Sequence, residues 1–218
     1  MRRTFAIAVG AAATAGIAIG VTLHGRLDPS ATAARPPAPR LPVLHGQATW
    51  GRGARPAPVF ALRDQHGQLT SLGSLRGRPL VLMFEDSLCR QACPIEGRMV
   101  AAAVRAVRPA MRPRVVVVSV DPWGDTPSSV AAAMRKWDLP GDASWLLGTK
   151  AQLAPVWRKY QIFVQRVKGD IVHSTALYVI DRQGDERAGF LMPFVPALVA
   201  DDFRTLAREG LAPQHGVE

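Results

Sequence analysis

The chain reads as an α/β sandwich built on a central mixed sheet and preceded by an N-terminal transmembrane segment. Three observations point there. Two uninterrupted apolar runs, Leu80–Phe84 (LVLMF) and Val115–Val120 (VVVVSV), have the length of strands covered on both faces. Helical segments with recognisable starts alternate with them. Ahead of both lies Thr4–Leu23, a stretch without a single charge. Over 218 residues, 48% are hydrophobic and 20% charged, which excludes a disordered chain and a multi-span membrane protein. Two cysteines exclude a disulfide-stapled scaffold and an all-cysteine zinc site.

From the N-terminus, residues 1–27 read as a membrane anchor or signal segment. At 1.5 Å per residue a helix over Thr4–Leu23 would span about 30 Å, the thickness of a bilayer core. Arg2 and Arg3 would stay cytoplasmic by the positive-inside rule, placing the rest of the chain on the extracytoplasmic side. Ala31-Thr32-Ala33 offers a signal-cleavage site as the alternative, which also exports the domain. Residues 28–58 carry seven prolines and no apolar period, the composition of a stiff tether, with His45 as a solvated loop residue. The net charge of +10 is concentrated in this head: residues 1–58 hold seven arginines against one acid. The remaining residues are nearly balanced, which argues against nucleic acid as a partner.

The folded domain is expected over 59–218. Val59–Arg63 and Gln68–Thr70 flank the turn Gln65-His66-Gly67 as a hairpin. After the first buried strand, Pro94–Val107 repeats its apolar residues at helical spacing, and Pro94 suits a first helical turn. After the second, Thr126-Pro127 caps and opens a helix reaching about Asp138. Thr149 and Gln152 form a capping box for a helix to about Tyr160. Ala176–Asp181 (ALYVID) is a third strong strand, returned through Arg182-Gln183-Gly184-Asp185 to Ala188–Leu191. An amphipathic helix over Pro196–Glu209 closes the pattern.

Cys89 and Cys93 fall in DSLCRQACP, directly after the first buried strand, where α/β sheets place their sites. At a helix start, unpaired N–H groups and the helix dipole favour Cys93 as a thiolate, and Arg90 pushes the same way. Such a pair suits metal binding or thiol–disulfide exchange. His173, just ahead of Ala176–Asp181, also reaches the sheet edge; with the two sulfurs it makes a soft three-donor set suited to Cu(I), and Cu(II) also takes sulfur and nitrogen. His24, His66 and His215 sit in contexts that give no support to a site.

The order LVLMFEDSLCRQACP, VVVVSVDPWGDTP, VHSTALYVID resembles the Sco/SenC family. The C-x-x-x-C-P segment, the D-P-x-x-D-T-P segment Asp121–Pro127 and the His173-Ser174 pair carry the likeness over about residues 59–210. It implies a thioredoxin-like fold and one copper ion held by Cys89, Cys93 and His173. It further implies delivery of copper to, or thiol reduction of, the dinuclear copper site of cytochrome c oxidase subunit II or another copper-accepting protein. An anchor and tether fit the family's layout. Many members have Pro-Asp where this chain has Arg90-Gln91, and Asp where it has Val172. Fewer acids beside a cation disfavour Cu(II) more than Cu(I). Asp121 and Asp125 are expected in turn and helix-capping roles. The alternative is a membrane-tethered thiol–disulfide oxidoreductase using Cys89 and Cys93 as its redox pair. The four-residue spacing and His173-Ser174 favour a metallochaperone over an enzyme.

Overall fold

A computed structural model describes residues 43–210. The anchor or signal segment, the first part of the tether, His24 and His215 lie outside the described residues. No helix among those described is long and apolar enough to cross a membrane.

The strands, in chain order, are β1 (Ala48–Thr49), β2 (Ala61–Asp64), β3 (Leu69–Ser71), β4 (Leu80–Glu85), β5 (Arg114–Ser119), β6 (Ser144–Leu147), β7 (Val164–Val167), β8 (Asp170–His173), β9 (Ala176–Ile180) and β10 (Glu186–Leu191). The helices are α1 (Ala92–Arg105), α2 (Pro127–Lys136), α3 (Lys150–Lys159) and α4 (Pro196–Glu209). Eight strands form one sheet in the order β1-β10-β9-β4-β5-β6-β2-β3, while β7 and β8 pair apart from it. β4, β5 and β6 run parallel, and the pairs β4–β9, β9–β10, β2–β6, β2–β3 and β1–β10 are antiparallel. The sheet is therefore mixed, as its sequence requires.

Alternation across the pleat sorts the central strands between two cores. Val81, Met83, Val115, Val117, Leu177 and Val179 face α1, α2 and α4 through Val100, Val104, Val130, Phe203 and Leu206. Leu82, Phe84, Val116, Val118 and Ile180 face the opposite layer, where α3 supplies Leu153 and Trp157. Both faces of β4 and β5 are covered, which explains the absence of polar alternation in LVLMF and VVVV.

Three elements have no counterpart in the sequence reading. β6 is a short strand parallel to β5. β7 and β8 form an exposed hairpin turning at Lys168-Gly169, where Gly169 adopts φ +79°. The third difference lies in the tether region. β1 pairs with β10, Trp50 N–H donates to Arg187 O (2.9 Å) and Tyr160 Oη donates to Pro58 O (2.7 Å), so residues from about 43 onward lie against the domain. His45 is accordingly not a free loop residue: its backbone N–H and Nδ1 both contact the buried Asp202 carboxylate, Nδ1 at 2.8 Å.

Candidate metal and thiol site

β4 ends at the carboxyl edge of the parallel strands, and the chain then folds back through Asp86–Gln91 into α1. That loop is fixed from two sides. Leu88 N–H donates to Asp86 Oδ1 (2.7 Å), an Asx turn, and Ser87 N–H donates to Asp125 Oδ1 (2.9 Å). Ser119, at the end of β5, donates its hydroxyl to the other oxygen of Asp125 (2.6 Å). Asp125 thus ties the cysteine loop to the neighbouring strand, while Thr126 caps α2 by accepting Ser129 N–H (3.1 Å). Asp121 accepts Trp123 N–H (3.1 Å), the turn role its position suggests.

α1 then carries Cys93 into the core. Gly97, one turn on, lies so close to Trp137 that a Cβ there would sit 2.5 Å from Cε3. The helix thereby lies close against the end of α2, and Cys93 is only 1% exposed. Cys89 remains half-buried at the rim of a cleft of about 880 Å³ whose lining includes Arg90, Lys136, His173 and Thr175.

His173 closes β8. Ser174 N–H donates to Phe163 O (3.0 Å) and Phe163 N–H donates to Ser174 Oγ (3.1 Å), which clamps the base of the hairpin. The Arg166 guanidinium lies 4.9 Å from the centre of the Trp123 ring, tying the hairpin to the Asp121–Pro127 loop. His173 Nδ1 is 3.0 Å from Ser174 O. A carbonyl only accepts, so Nδ1 carries the proton and the Nε2 lone pair is free. Nε2 lies 3.5 Å from Cys93 Sγ, across 80 residues of chain.

The two sulfurs differ in charge state. Cys89 is held down to about 5, first by the neighbouring Cys93 thiol and then, against burial, by the N–H groups of Gln91 and Cys93. Cys93 is pushed well up, by its bond to Cys89, by burial and by the charge of Glu85. The helix start expected to favour a thiolate at Cys93 acts on Cys89 as well: the Cys93 thiol first, and then the N–H groups of Gln91 and Cys93, lower it. Arg90 is exposed and is not among the causes of either shift. Burial holds the His173 imidazole below its usual range, keeping it a neutral donor.

Beneath Cys93 lie two carboxyl groups that the sequence reading passed over. Glu85, the last residue of β4, is 0% exposed, and Glu96, one turn after Cys93 on α1, is 1% exposed. Burial, and then the charge of Glu96, raise Glu85 well above the ordinary range; burial pushes Glu96 up to about 7. No N–H, hydroxyl or cationic side chain among the described residues reaches either carboxyl group; the two lie against each other, and Glu85 also against Cys93. Their signals were present: an acid ending a wholly apolar strand, and an acid on the buried face of α1 that also carries Cys93, Gly97 and Val100.

One ligand atom each from Glu85, Cys93 and His173 lie within 4.8 Å of one another. Donors around a four-coordinate ion with bonds of about 2.0–2.3 Å stand roughly 3.3–3.8 Å apart, so closure asks for movement of about 1 Å. Cys89 is not part of that tight set but adjoins Cys93. A thiolate, a second sulfur and a free imidazole nitrogen fit a soft metal ion.

Fold and site together define a thioredoxin-like domain with a paired-cysteine and histidine centre at the end of its parallel strands. The SCO1/SenC family model matches residues 51–208, and the chain belongs to that family. It is 27% identical over 147 residues to "Protein SCO2 homolog, mitochondrial" of Bos taurus, covering 63% of this chain and 53% of that one. The chain thus spans about half the length of that curated relative. Among solved structures, Bradyrhizobium japonicum ScoI with copper bound is 26% identical with a TM-score of 0.59, covering 69% of this chain and 98% of the other. Yeast Sco1 with copper bound shares the fold at 18% identity and a TM-score of 0.62, covering 71% and 89%.

Proposed function

We propose that this protein is a copper-binding assembly factor that holds one copper ion through Cys89, Cys93 and His173. It delivers that copper to, or matures, the dinuclear copper site of cytochrome c oxidase subunit II. The reading rests foremost on His173 Nε2, an unprotonated nitrogen that stands 3.5 Å from Cys93 Sγ. Nδ1 is spent on a backbone carbonyl, so the nitrogen turned toward the sulfur is the unprotonated one, able to take a proton from the thiol or a metal ion. Copper bound in the ScoI relative supports copper as the ion. The unequal depth of the sulfurs suits transfer: Cys93 is buried, whereas Cys89 is accessible at the rim and can exchange for a ligand of the acceptor. The anchor over residues 1–27 would hold the domain on the extracytoplasmic side, where such an acceptor's copper domain lies. The test is transfer itself: domain loaded with Cu(I) is mixed with the apo copper-binding domain of subunit II, and copper is counted on each after separation. Copper on the acceptor supports delivery; copper retained on the donor at equilibrium contradicts it.

Thiol reduction of the acceptor is a second reading, for which the low Cys89 supplies the attacking thiolate. The Cys89 thiolate attacks an acceptor disulfide, giving a mixed disulfide and one free acceptor thiolate. Cys93 then loses its proton and displaces the second acceptor sulfur, leaving a Cys89–Cys93 disulfide and a reduced acceptor. His173→Ala keeps this activity and loses copper, whereas Cys93→Ser loses both.

A further inference from the structure

Two buried carboxyl groups without a cationic partner are costly in a folded core unless something compensates them. Of the acids near the cysteines, Asp86 is occupied by Leu88 N–H, and Glu96 is outside the 4.8 Å set of donor atoms. Glu85 is wholly buried, has no N–H, hydroxyl or cationic partner among the described residues, and presents an oxygen within 4.8 Å of Cys93 Sγ and of a His173 ring nitrogen. It is held there by the last pairing of β4 with β5, Glu85 opposite Ser119, so the carboxylate arrives from a rigid strand rather than a loop.

We infer that Glu85 is the fourth donor of this centre, completing a set of two sulfurs, one nitrogen and one oxygen that favours a divalent ion. The inference rests on the metal reading of Cys89, Cys93 and His173 given above. Carboxylate oxygen is a hard donor and carries a charge. With two thiolates and Glu85 ionised, a divalent ion leaves the centre at −1, whereas Cu(I) leaves it at −2. In a buried site the larger uncompensated charge is disfavoured. Glu85 therefore restores the acid that Arg90, Gln91 and Val172 removed from the loop edges, and restores it from beneath. Glu96, behind Glu85 and one turn from Cys93, is a positioning residue for that carboxylate.

The probes are Co(II), which does not oxidise thiols, and Cu(I), both titrated anaerobically into the reduced protein. X-ray absorption on the Co(II)-loaded wild type counts the atoms bound to the ion without any variant; two sulfurs and two lighter atoms are expected. Glu85→Gln is expected to weaken Co(II) binding by at least roughly 100-fold, the scale lost when a supporting group of a metal site is removed. Cu(I) affinity in the same variant falls less than Co(II) affinity, because the soft monovalent ion is held mainly by the sulfurs and the imidazole. Circular dichroism and the count of two free thiols establish that it is folded. Three atoms bound to the ion in the wild type would overturn the inference. So would undiminished Co(II) binding in Glu85→Gln alongside its loss in Cys93→Ser, or a loss that appears in Glu96→Gln and not in Glu85→Gln. Those outcomes leave copper binding standing. A wild type that binds neither ion overturns the copper reading as well.

Discussion

The unequal cysteines give a prediction that can be worked through in numbers. A pyridyl disulfide is attacked first by the accessible Cys89, and release of its chromophore gives the initial rate. With Cys89 near 5 against an ordinary 9.0, about 91% is thiolate at pH 6, compared with roughly 0.1% of an ordinary thiol, a gain of about 900-fold. Lower basicity makes the thiolate a poorer nucleophile. A Brønsted slope of about 0.45 over four units removes roughly 60-fold, leaving a net advantage of about 15-fold at pH 6. At pH 8 the ordinary thiol has reached about 9% thiolate, and Cys89 falls about fivefold behind it. The rate profile should thus be flat above pH 6, decline through pH 5, and cross that of a free thiol near neutrality. Peptide mapping at short times should find the label on Cys89. A rate still climbing between pH 7 and 9, or first label on Cys93, would refute the assignment of the thiolate.

Further consequences concern stability. Gly97→Ala gains about 1 kcal/mol of helix propensity but forces a Cβ to 2.5 Å from Trp137, which is itself stacked on Trp145 with ring centres 5.2 Å apart. Overpacking at about 1–3 kcal/mol should win, with a lower denaturant midpoint; a raised midpoint would show that Trp137 moves freely. Glu96 sits near 7 when folded against 4.5 unfolded, so the native state binds the extra proton and stability falls as pH rises from 4.5 through 7. Glu96→Gln should therefore be more stable than wild type at pH 8 and little changed at pH 4 by urea denaturation; a less stable variant at pH 8 contradicts this. His45→Ala removes the ring contact to buried Asp202 and should cost about 1–3 kcal/mol in the same assay, where no change would return His45 to a solvated loop.

Much of this molecule is written in its patterns. LVLMF, VVVVSV and ALYVID became β4, β5 and β9, and the capping signals at Thr126 and Thr149 open α2 and α3. Gln152 accepts Thr149 N–H at 2.8 Å, as its spacing from the cap requires. The missed strands have few apolar residues of their own. β6 offers only Trp145, Leu146 and Leu147, and is a strand because β5 lies beside it. β7 and β8 show the exposed alternation VQRV and DIVH, too short and charged to stand out, and their pairing sets where His173 points. That Cys89, Cys93 and His173 would lie near one another was legible from spacing and order. The lowering of Cys89 was not, because it depends on how the Cys93 thiol, and then the N–H groups of Gln91 and Cys93, are turned toward it. Glu85 escaped notice because an acid at the end of an apolar strand looks like the point where the chain reaches water. Here Cys93 and α1 cover it.

The central claim is that an imidazole from the β7–β8 hairpin completes a metal centre with two cysteine sulfurs. Anaerobic Cu(I) titration of the reduced wild type against His173→Ala, in competition with a chelator of known affinity, measures it directly. The account predicts one tight ion in the wild type and, in the variant, an affinity lower by at least roughly 10- to 100-fold with both thiols still titratable. Equal affinity in the two proteins would contradict it.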